Sequence, residues 1–360
     1  DLPDPAAAAE MTTRILGGLQ KVFQTTDPVI LFPSSGTGAW EAALVNTLSP
    51  GDRVLAYETG HFATLWKKVA ERLGLKVEWI EGDWRHGVDP EAIGESLRKD
   101  YGKKIKAVLA VHSETSTGVA SRIPLVREAI DAAGHPALFM VDTISSLGSM
   151  DYRHDEWGVD VTVCCSQKGL MLPPGLGINA VSRKALEAST TAGLTRSYWA
   201  WDPVLTMNEK GFFPYTPPTN LLYGLDVALE MMLEEGLDNV FLRHHRLAEA
   251  TRIAVLGWGL ELCCQNAEEY SDSLTAVWMP DGHDADALRK LILDRFDMSL
   301  GTGLGSVKGK LFLIGHLGVF NELMLAGTLC GVEMGLGLAG VPYKKGGVDA
   351  ALDYLASTSV

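Results

Sequence analysis

The sequence predicts an α/β protein: a mainly parallel, doubly wound large domain followed by a smaller C-terminal α+β domain. Three observations carry that expectation. Short runs rich in Val, Ile, Leu and Ala alternate with longer helical patterns up to about Thr191. The apolar runs are continuous rather than alternating, as strands covered by helices on both faces require. A chain of 360 residues also exceeds one ordinary domain of ~150 residues, so a second unit is expected.

Strands are expected at 29–32, 53–57, 76–80, 107–112, 137–142, 159–164 and 177–181. Between them, helical periodicity predicts helices at 36–48, 61–73, 90–98 and 123–133. Beyond Thr191 the rhythm breaks into a loop-rich stretch carrying Trp199, Trp201, Phe212, Phe213 and several prolines. A long helical region, 221–256, follows. The remainder reads as a smaller unit, with strands at 260–264, 273–279 and 310–314 and helices near 285–295, 322–338 and 348–356. The boundary is placed near Glu235, giving domains 1–235 and 236–360.

Composition narrows the function classes. Lys and Arg number 31 against 45 Asp and Glu, a formal charge of −14. So acidic a chain is not built to grip a phosphate backbone over a broad face, which argues against nucleic acid as a partner. Hydrophobic residues at 46% and charged residues at 21% fit a packed core and exclude global disorder. The five cysteines form no C-x-x-C and are odd in number, which argues against disulfides or structural zinc. They fit a reducing, cytoplasmic setting. The chain opens Asp1-Leu2-Pro3-Asp4, without an initiator Met or a basic leader, so residues ahead of it are expected. The apolar stretch 323–341 is long enough to raise a membrane span, but Glu333 and its glycines favour a buried helix and a turn.

Three segments carry chemistry. In Phe32-Pro33-Ser34-Ser35-Gly36-Thr37-Gly38 a strand ends, a small-residue turn follows and a helix begins. Exposed N–H groups and hydroxyls at such a start form a phosphate cradle, although the segment lacks the Lys of a Walker A loop. Alone, it reads equally as a plain capped helix. In Cys164-Cys165-Ser166-Gln167-Lys168-Gly169 a buried strand delivers a lysine at the edge where open α/β sheets bind ligands. A desolvated lysine there offers a neutral amine for Schiff-base chemistry; a solvated loop lysine is the plainer alternative. Val141-Asp142 closes another strand with a carboxylate suited to a pyridinium nitrogen, or to capping the next segment. Together they supply an anion cradle, an acid and an amine, the three groups that pyridoxal phosphate needs.

At these residues the chain resembles the class V, fold-type I aminotransferases, most closely the serine–glyoxylate, aspartate–glyoxylate and alanine–glyoxylate group. The similarity extends through Asn46-Thr47-Leu48-Ser49-Pro50-Gly51-Asp52, His112-Ser113-Glu114-Thr115-Ser116-Thr117-Gly118 and Asp155-Glu156-Trp157-Gly158. It continues through Pro174-Gly175-Leu176-Gly177, Pro214-Tyr215-Thr216-Pro217 and Ile314-Gly315-His316-Leu317-Gly318. The resemblance implies that Lys168 tethers the cofactor and shuttles the proton, and that Asp142 pairs with the ring nitrogen. It implies that Phe62 stacks on the ring, that Thr115 bonds its oxygen, and that Ser35, Gly36, Thr37 and Gln167 hold the phosphate. Tyr215 and Thr216 would reach the neighbouring subunit's cofactor, making the active unit a homodimer. The reaction would be ping-pong, from a serine, aspartate or alanine type donor to a keto acid such as glyoxylate or pyruvate.

Two departures stand out. Where the family carries an arginine for the substrate carboxylate, this chain has Leu313, three residues before His316. A leucine cannot supply the bidentate fork a carboxylate prefers. Three readings compete: a simple amine as substrate, another arginine such as Arg196 as the substitute, or a position altered on purpose. An amine transaminase and a non-catalytic binding protein of the same fold are the alternatives. The second departure is the absence of the family's N-terminal Pro-Gly-Pro turn.

Other motifs read as structure. Gly335-Leu336-Gly337-Leu338-Ala339-Gly340 fits G-x-G-x-x-G but follows a helical pattern, so it reads as a helix end. His244 and His245 read as solvated surface, and His316 as a hydrogen-bonded residue or pocket wall. A cysteine desulfurase would need a His before the lysine, where Gln167 stands. No metal-ligand spacing is present.

Overall fold

The computed structural model describes residues 4–358. Helix α1 (Pro5–Phe23) leads into β1 (Val29–Pro33), α2 (Gly36–Thr47), β2 (Arg53–Tyr57), α3 (His61–Arg72), β3 (Lys76–Ile80), α4 (Pro90–Lys99) and β4 (Ile105–Val111). A two-residue hairpin, β5 (Ser113–Glu114) with β6 (Val119–Ala120), precedes α5 (Ile123–Ala132), β7 (Leu138–Asp142), β8 (Val161–Cys165) and β9 (Leu176–Val181). The large sheet has the order β1-β9-β8-β7-β4-β2-β3. Only β9 runs against the rest, pairing antiparallel with both β1 and β8. The expected mainly parallel, helix-covered architecture is therefore present.

Apolar residues on both sheet faces account for the continuous runs. Phe139, Val141 and Ile178 face one buried layer with α1, whose Ile15, Leu19 and Phe23 are buried. Met140, Val161 and Val163 face the other layer with α2. That helix is buried almost all round, as the close seat of Gly36, Ala39, Ala42 and Ala43 on the sheet requires.

The C-terminal part follows α6 (Arg183–Ser189), α7 (Trp201–Asn208) and α8 (Thr219–Glu235). It comprises α9 (Leu237–Gly257), β10 (Glu261–Leu262), β11 (Leu274–Trp278), α10 (Ala285–Phe296), β12 (Gly301–Thr302), β13 (Leu311–Gly315), α11 (Glu322–Leu338) and α12 (Gly347–Ser357). Its antiparallel sheet has the order β10-β11-β13-β12. Phe312 and Ile314 of β13 pack under the helices, while Leu311 and Leu313 face the other way.

Four expectations are corrected. The sequence reading had no helix at 5–23, yet α1 packs on α8. The region 221–256 is two helices, because Gly236 with φ +83° breaks it between α8 and α9. The loop-rich stretch contains α7, in which Trp201 is fully buried. His244 is buried rather than solvated: its Nδ1 lies 2.7 Å from the Val240 carbonyl, and its Nε2 accepts Gly318 N–H at 3.0 Å. The run Gly335–Gly340 does end a helix, and the buried Gly335 meets Ile292 there. No helix among the described residues is long and apolar enough to cross a membrane.

Candidate active site

One sheet edge gathers the chemical groups. Register sets Asp142 opposite both Val111 and Val163. Cys165 and Phe32 both lie opposite Gly177. The end of β7, the end of β8 and the turn after β1 therefore open side by side, bringing Asp142, Gln167–Lys168 and Ser35–Thr37 to one crevice.

Asp142 is 2% exposed. Its Oδ2 accepts Trp40 Nε1–H at 2.7 Å and its Oδ1 accepts Ile144 N–H at 2.7 Å. Burial pushes its carboxyl up to about 7. The Glu114 charge adds to that rise, while the two hydrogen bonds and the Lys168 ammonium oppose it. Such a carboxyl ionises readily once a cation is placed against it.

The lysine loop is fixed by its neighbours. Ser166 Oγ donates to the Pro173 carbonyl at 2.8 Å and accepts Leu176 N–H at 3.2 Å. A Cβ at Gly169 would lie 2.0 Å from the Leu147 carbonyl oxygen, so only glycine permits the close approach after Lys168. Burial pushes the Cys165 thiol beside this loop up to about 12, which keeps it an inert packing residue.

A phosphate fits this loop and α2. Ser35 occupies the N-cap in extended backbone, and its side chain makes no cap hydrogen bond. Ser35 and Thr37 are exposed, and the first N–H groups of α2 have no acceptor within the helix. A Cβ at Gly36 would lie 2.3 Å from Ile144 Cδ1. Gln167 Oε1 is buried with no partner, so the amide is held by no other side chain at this end and its NH2 is the group that would donate to a phosphate. Together with Asp142, these groups fit the phosphate, ring nitrogen and aldehyde of pyridoxal phosphate.

Phe62 lies in the first turn of α3 on the same edge, and a residue the sequence reading did not single out fixes it. Glu114 is fully buried. Its Oε1 accepts Phe62 N–H at 3.2 Å, Ser116 N–H at 3.1 Å and Ser116 Oγ–H at 2.7 Å; Oε2 accepts Ala63 N–H at 3.1 Å. A carboxylate at a helix start is favoured by the dipole and the unpaired N–H groups. A Cβ at Gly60 would lie 2.5 Å from Glu114 Cγ, so the glycine admits the acid. The adjoining Thr115 hydroxyl pairs with Ser145 Oγ. Glu114 thus ties Phe62 and Thr115 into one unit.

The remaining expected residues have partners within the chain or are exposed. Tyr215 donates its hydroxyl to the Leu31 carbonyl of its own chain, among Phe32, Tyr198 and Phe213. Thr216 beside it is exposed. Leu313 is buried with Cys263, Leu274, Ala276 and Val307, with Trp84 and Trp278 alongside. His316 is fully buried, its Nε2 2.9 Å from Thr275 Oγ1 and its Nδ1 2.9 Å from the Asp272 carbonyl. Burial pushes it down to about 3, so both nitrogens serve the small domain. Arg196 is not free to replace an arginine at 313. Its guanidinium donates to the carbonyls of Val45, Ala192 and Ser189 at 3.2, 3.1 and 2.9 Å.

Comparison with known proteins agrees with this geometry. The profile of the family described as aminotransferase class-V matches residues 7–308. The chain is 50% identical to a serine–glyoxylate aminotransferase of Methylorubrum extorquens, covering 96% of this chain and 88% of that protein. It is 49% identical to an L-aspartate–glyoxylate aminotransferase of Paracoccus denitrificans, covering 96% and 87%. The solved pyridoxamine–pyruvate aminotransferase of Mesorhizobium loti superposes with a TM-score of 0.90 at 28% identity, covering 99% and 91%. With its amine, acid and phosphate cradle converging on one sheet edge, the chain belongs to the class-V aminotransferases, enzymes that work with pyridoxal phosphate.

Proposed function

We propose that this aminotransferase moves an amino group from a small donor of the serine, aspartate or alanine type to a keto acid such as glyoxylate or pyruvate. The observation that carries this reading is the convergence of Lys168, Asp142 and the start of α2 on one edge. The names of the relatives support serine and aspartate as donors and glyoxylate as acceptor.

Bound pyridoxal phosphate supplies the electron sink for bond breaking at the donor's α-carbon. The protein does the rest. Lys168 is the catalytic residue: its Nζ tethers the cofactor and, once displaced, carries the proton away from the substrate carbon and back. Asp142, oriented by Trp40 and Ile144, accepts the ring N–H and holds that proton in place. Glu114 sets the start of α3 and with it Phe62, the ring's stacking partner. Ser35, Gly36, Thr37 and Gln167 bind the phosphate, and Thr115 donates to the ring oxygen.

The active unit is a homodimer in which Tyr215 and Thr216 reach the neighbouring subunit's phosphate. Exposed Thr216 and the apolar stripe Tyr223, Val227 and Met231 on α8 support that contact. Free cysteines support a cytoplasmic location.

Leu313 favours a second reading for the donor. The family resemblance expects an arginine for the substrate carboxylate where this chain has the buried Leu313, so a simple amine is the rival donor. A half-reaction screen decides between them: amino acids and simple amines are added singly to holoenzyme without acceptor. Loss of the visible cofactor band with serine, aspartate or alanine supports the glyoxylate-type reading. Loss with simple amines alone supports the rival.

A further inference from the structure

At the opposite edge of the large sheet, the loop 24–28 between α1 and β1 lies against the turn 151–158 that leads to β8. Several bonds join them. Gln24 Nε2 donates to Asp151 Oδ1 at 2.9 Å and to the Tyr152 carbonyl at 3.2 Å. His154 N–H donates to the Phe23 carbonyl at 3.0 Å. In this seam one ring nitrogen of His154 and one carboxylate oxygen each of Asp27 and Asp155 lie within 4.8 Å of one another.

Each residue is arranged as a ligand. His154 is fully buried, with Nδ1 2.7 Å from Thr162 Oγ1, while its Nε2 is buried without a partner. A neutral imidazole anchored at one nitrogen leaves a lone pair on the other, the usual arrangement of a metal-bound histidine. Asp155 is oriented by Thr25 Oγ1 at 2.5 Å, Thr26 N–H at 2.9 Å and Thr26 Oγ1 at 3.2 Å. Asp27 is half-buried, with a carboxylate oxygen within 4.8 Å of one from Asp155. The neighbouring Arg153 offers neither acid a charge, because it pairs with Asp151 and Glu156. Two neighbouring carboxylates and an unpartnered imidazole nitrogen therefore form a donor set suited to a cation.

We propose that Asp27, His154 and Asp155 form a binding site for a divalent transition ion of the zinc class. Three protein ligands leave the fourth position to water. Zinc–ligand bonds of ~2.0–2.2 Å need the three atoms drawn closer together on binding. The ion would staple the α1–β1 junction to the approach of β8. Since the site lies at the strand starts, away from Lys168 and Asp142, its role is structural.

Zinc chloride is the probe. Holoenzyme is dialysed against it, bound metal is counted by atomic emission, and thermal unfolding is followed with and without the ion. Saturable uptake of one zinc per chain with a raised Tm is expected, since a ligand of the native state stabilises it. Asp27→Asn, which preserves shape, is expected to weaken binding about tenfold or more and leave transamination unchanged. His154→Gln should do the same, and if that variant fails to fold, Asp27→Asn still decides. Absence of saturable uptake overturns the proposal. So does uptake that Asp27→Asn leaves unaltered, as zinc held by the exposed Cys330 would be.

Discussion

Trp40 Nε1 donates to Asp142 Oδ2 at 2.7 Å, so α2, whose first turn would hold the phosphate, also orients the acid. Trp40 itself is 2% exposed and stacks on Trp66 with ring centroids 6.0 Å apart. Trp40→Phe keeps the stack and removes the donor. A hydrogen bond to a charged group is worth about 1.5–3 kcal/mol, and its loss pushes Asp142 further up. The pH titration of the visible cofactor band is expected to move in Trp40→Phe. A superimposable titration would mean that the indole does not orient the acid.

Asp142 also gives a pH signature in the cofactor-free protein. Its folded value, about 7, lies above the ordinary 3.8. A raised carboxyl favours the fold while protonated, so its contribution is complete below about 3.8 and is lost as pH rises through about 7. Apo wild type is therefore expected to lose stability relative to Asp142→Asn between about pH 4 and 7. Parallel denaturation midpoints across that range would contradict the assignment.

Glu114 acts through Phe62 rather than on the substrate. Glu114→Ala strips the start of α3 of its acceptor, whereas Glu114→Gln keeps one. Cofactor affinity, read by fluorescence quenching of the apoprotein, is expected to fall about tenfold or more in the alanine variant and less in the glutamine variant. Equal affinities in all three proteins would leave Glu114 a residue of the fold alone.

Leu313 is the position where specificity should be movable. Leu313→Arg restores the guanidinium that the family resemblance expects at this position, and kcat/KM for serine, aspartate or alanine is expected to rise about tenfold. No change, or a loss, would show that the carboxylate is bound elsewhere.

Much of this was legible because it is local. Continuous apolar runs gave the strands, and the turn after β1, Asp142 and Lys168 sit at their ends. Long-range partnerships were not legible. Glu114 bonds Phe62 across 52 positions, and Trp40 reaches Asp142 across 102. Arg196 looked free until its guanidinium was found capping carbonyls around Ser189 and Ala192. His244 looked solvated in a charged stretch, although its partner Gly318 is 74 positions away. Gly236 carried a readable helix-stop signal within the long helical region.

Tyr215 offers a test of the subunit arrangement. Lys168→Ala and Tyr215→Phe are each expected to lower activity, and mixed dimers of the two should regain it in one site. That recovery requires Tyr215 to serve the neighbouring subunit. A mixture no more active than its parents would place Tyr215 in its own chain's site, beside Leu31.

The most direct measurement is the visible absorbance of purified protein loaded with pyridoxal phosphate. Wild type is expected to show a band that bleaches on addition of an amino donor, and Lys168→Ala is expected to lack it. A colourless wild type that takes up no cofactor, or a band that persists unchanged in Lys168→Ala, would contradict Lys168 as the catalytic amine.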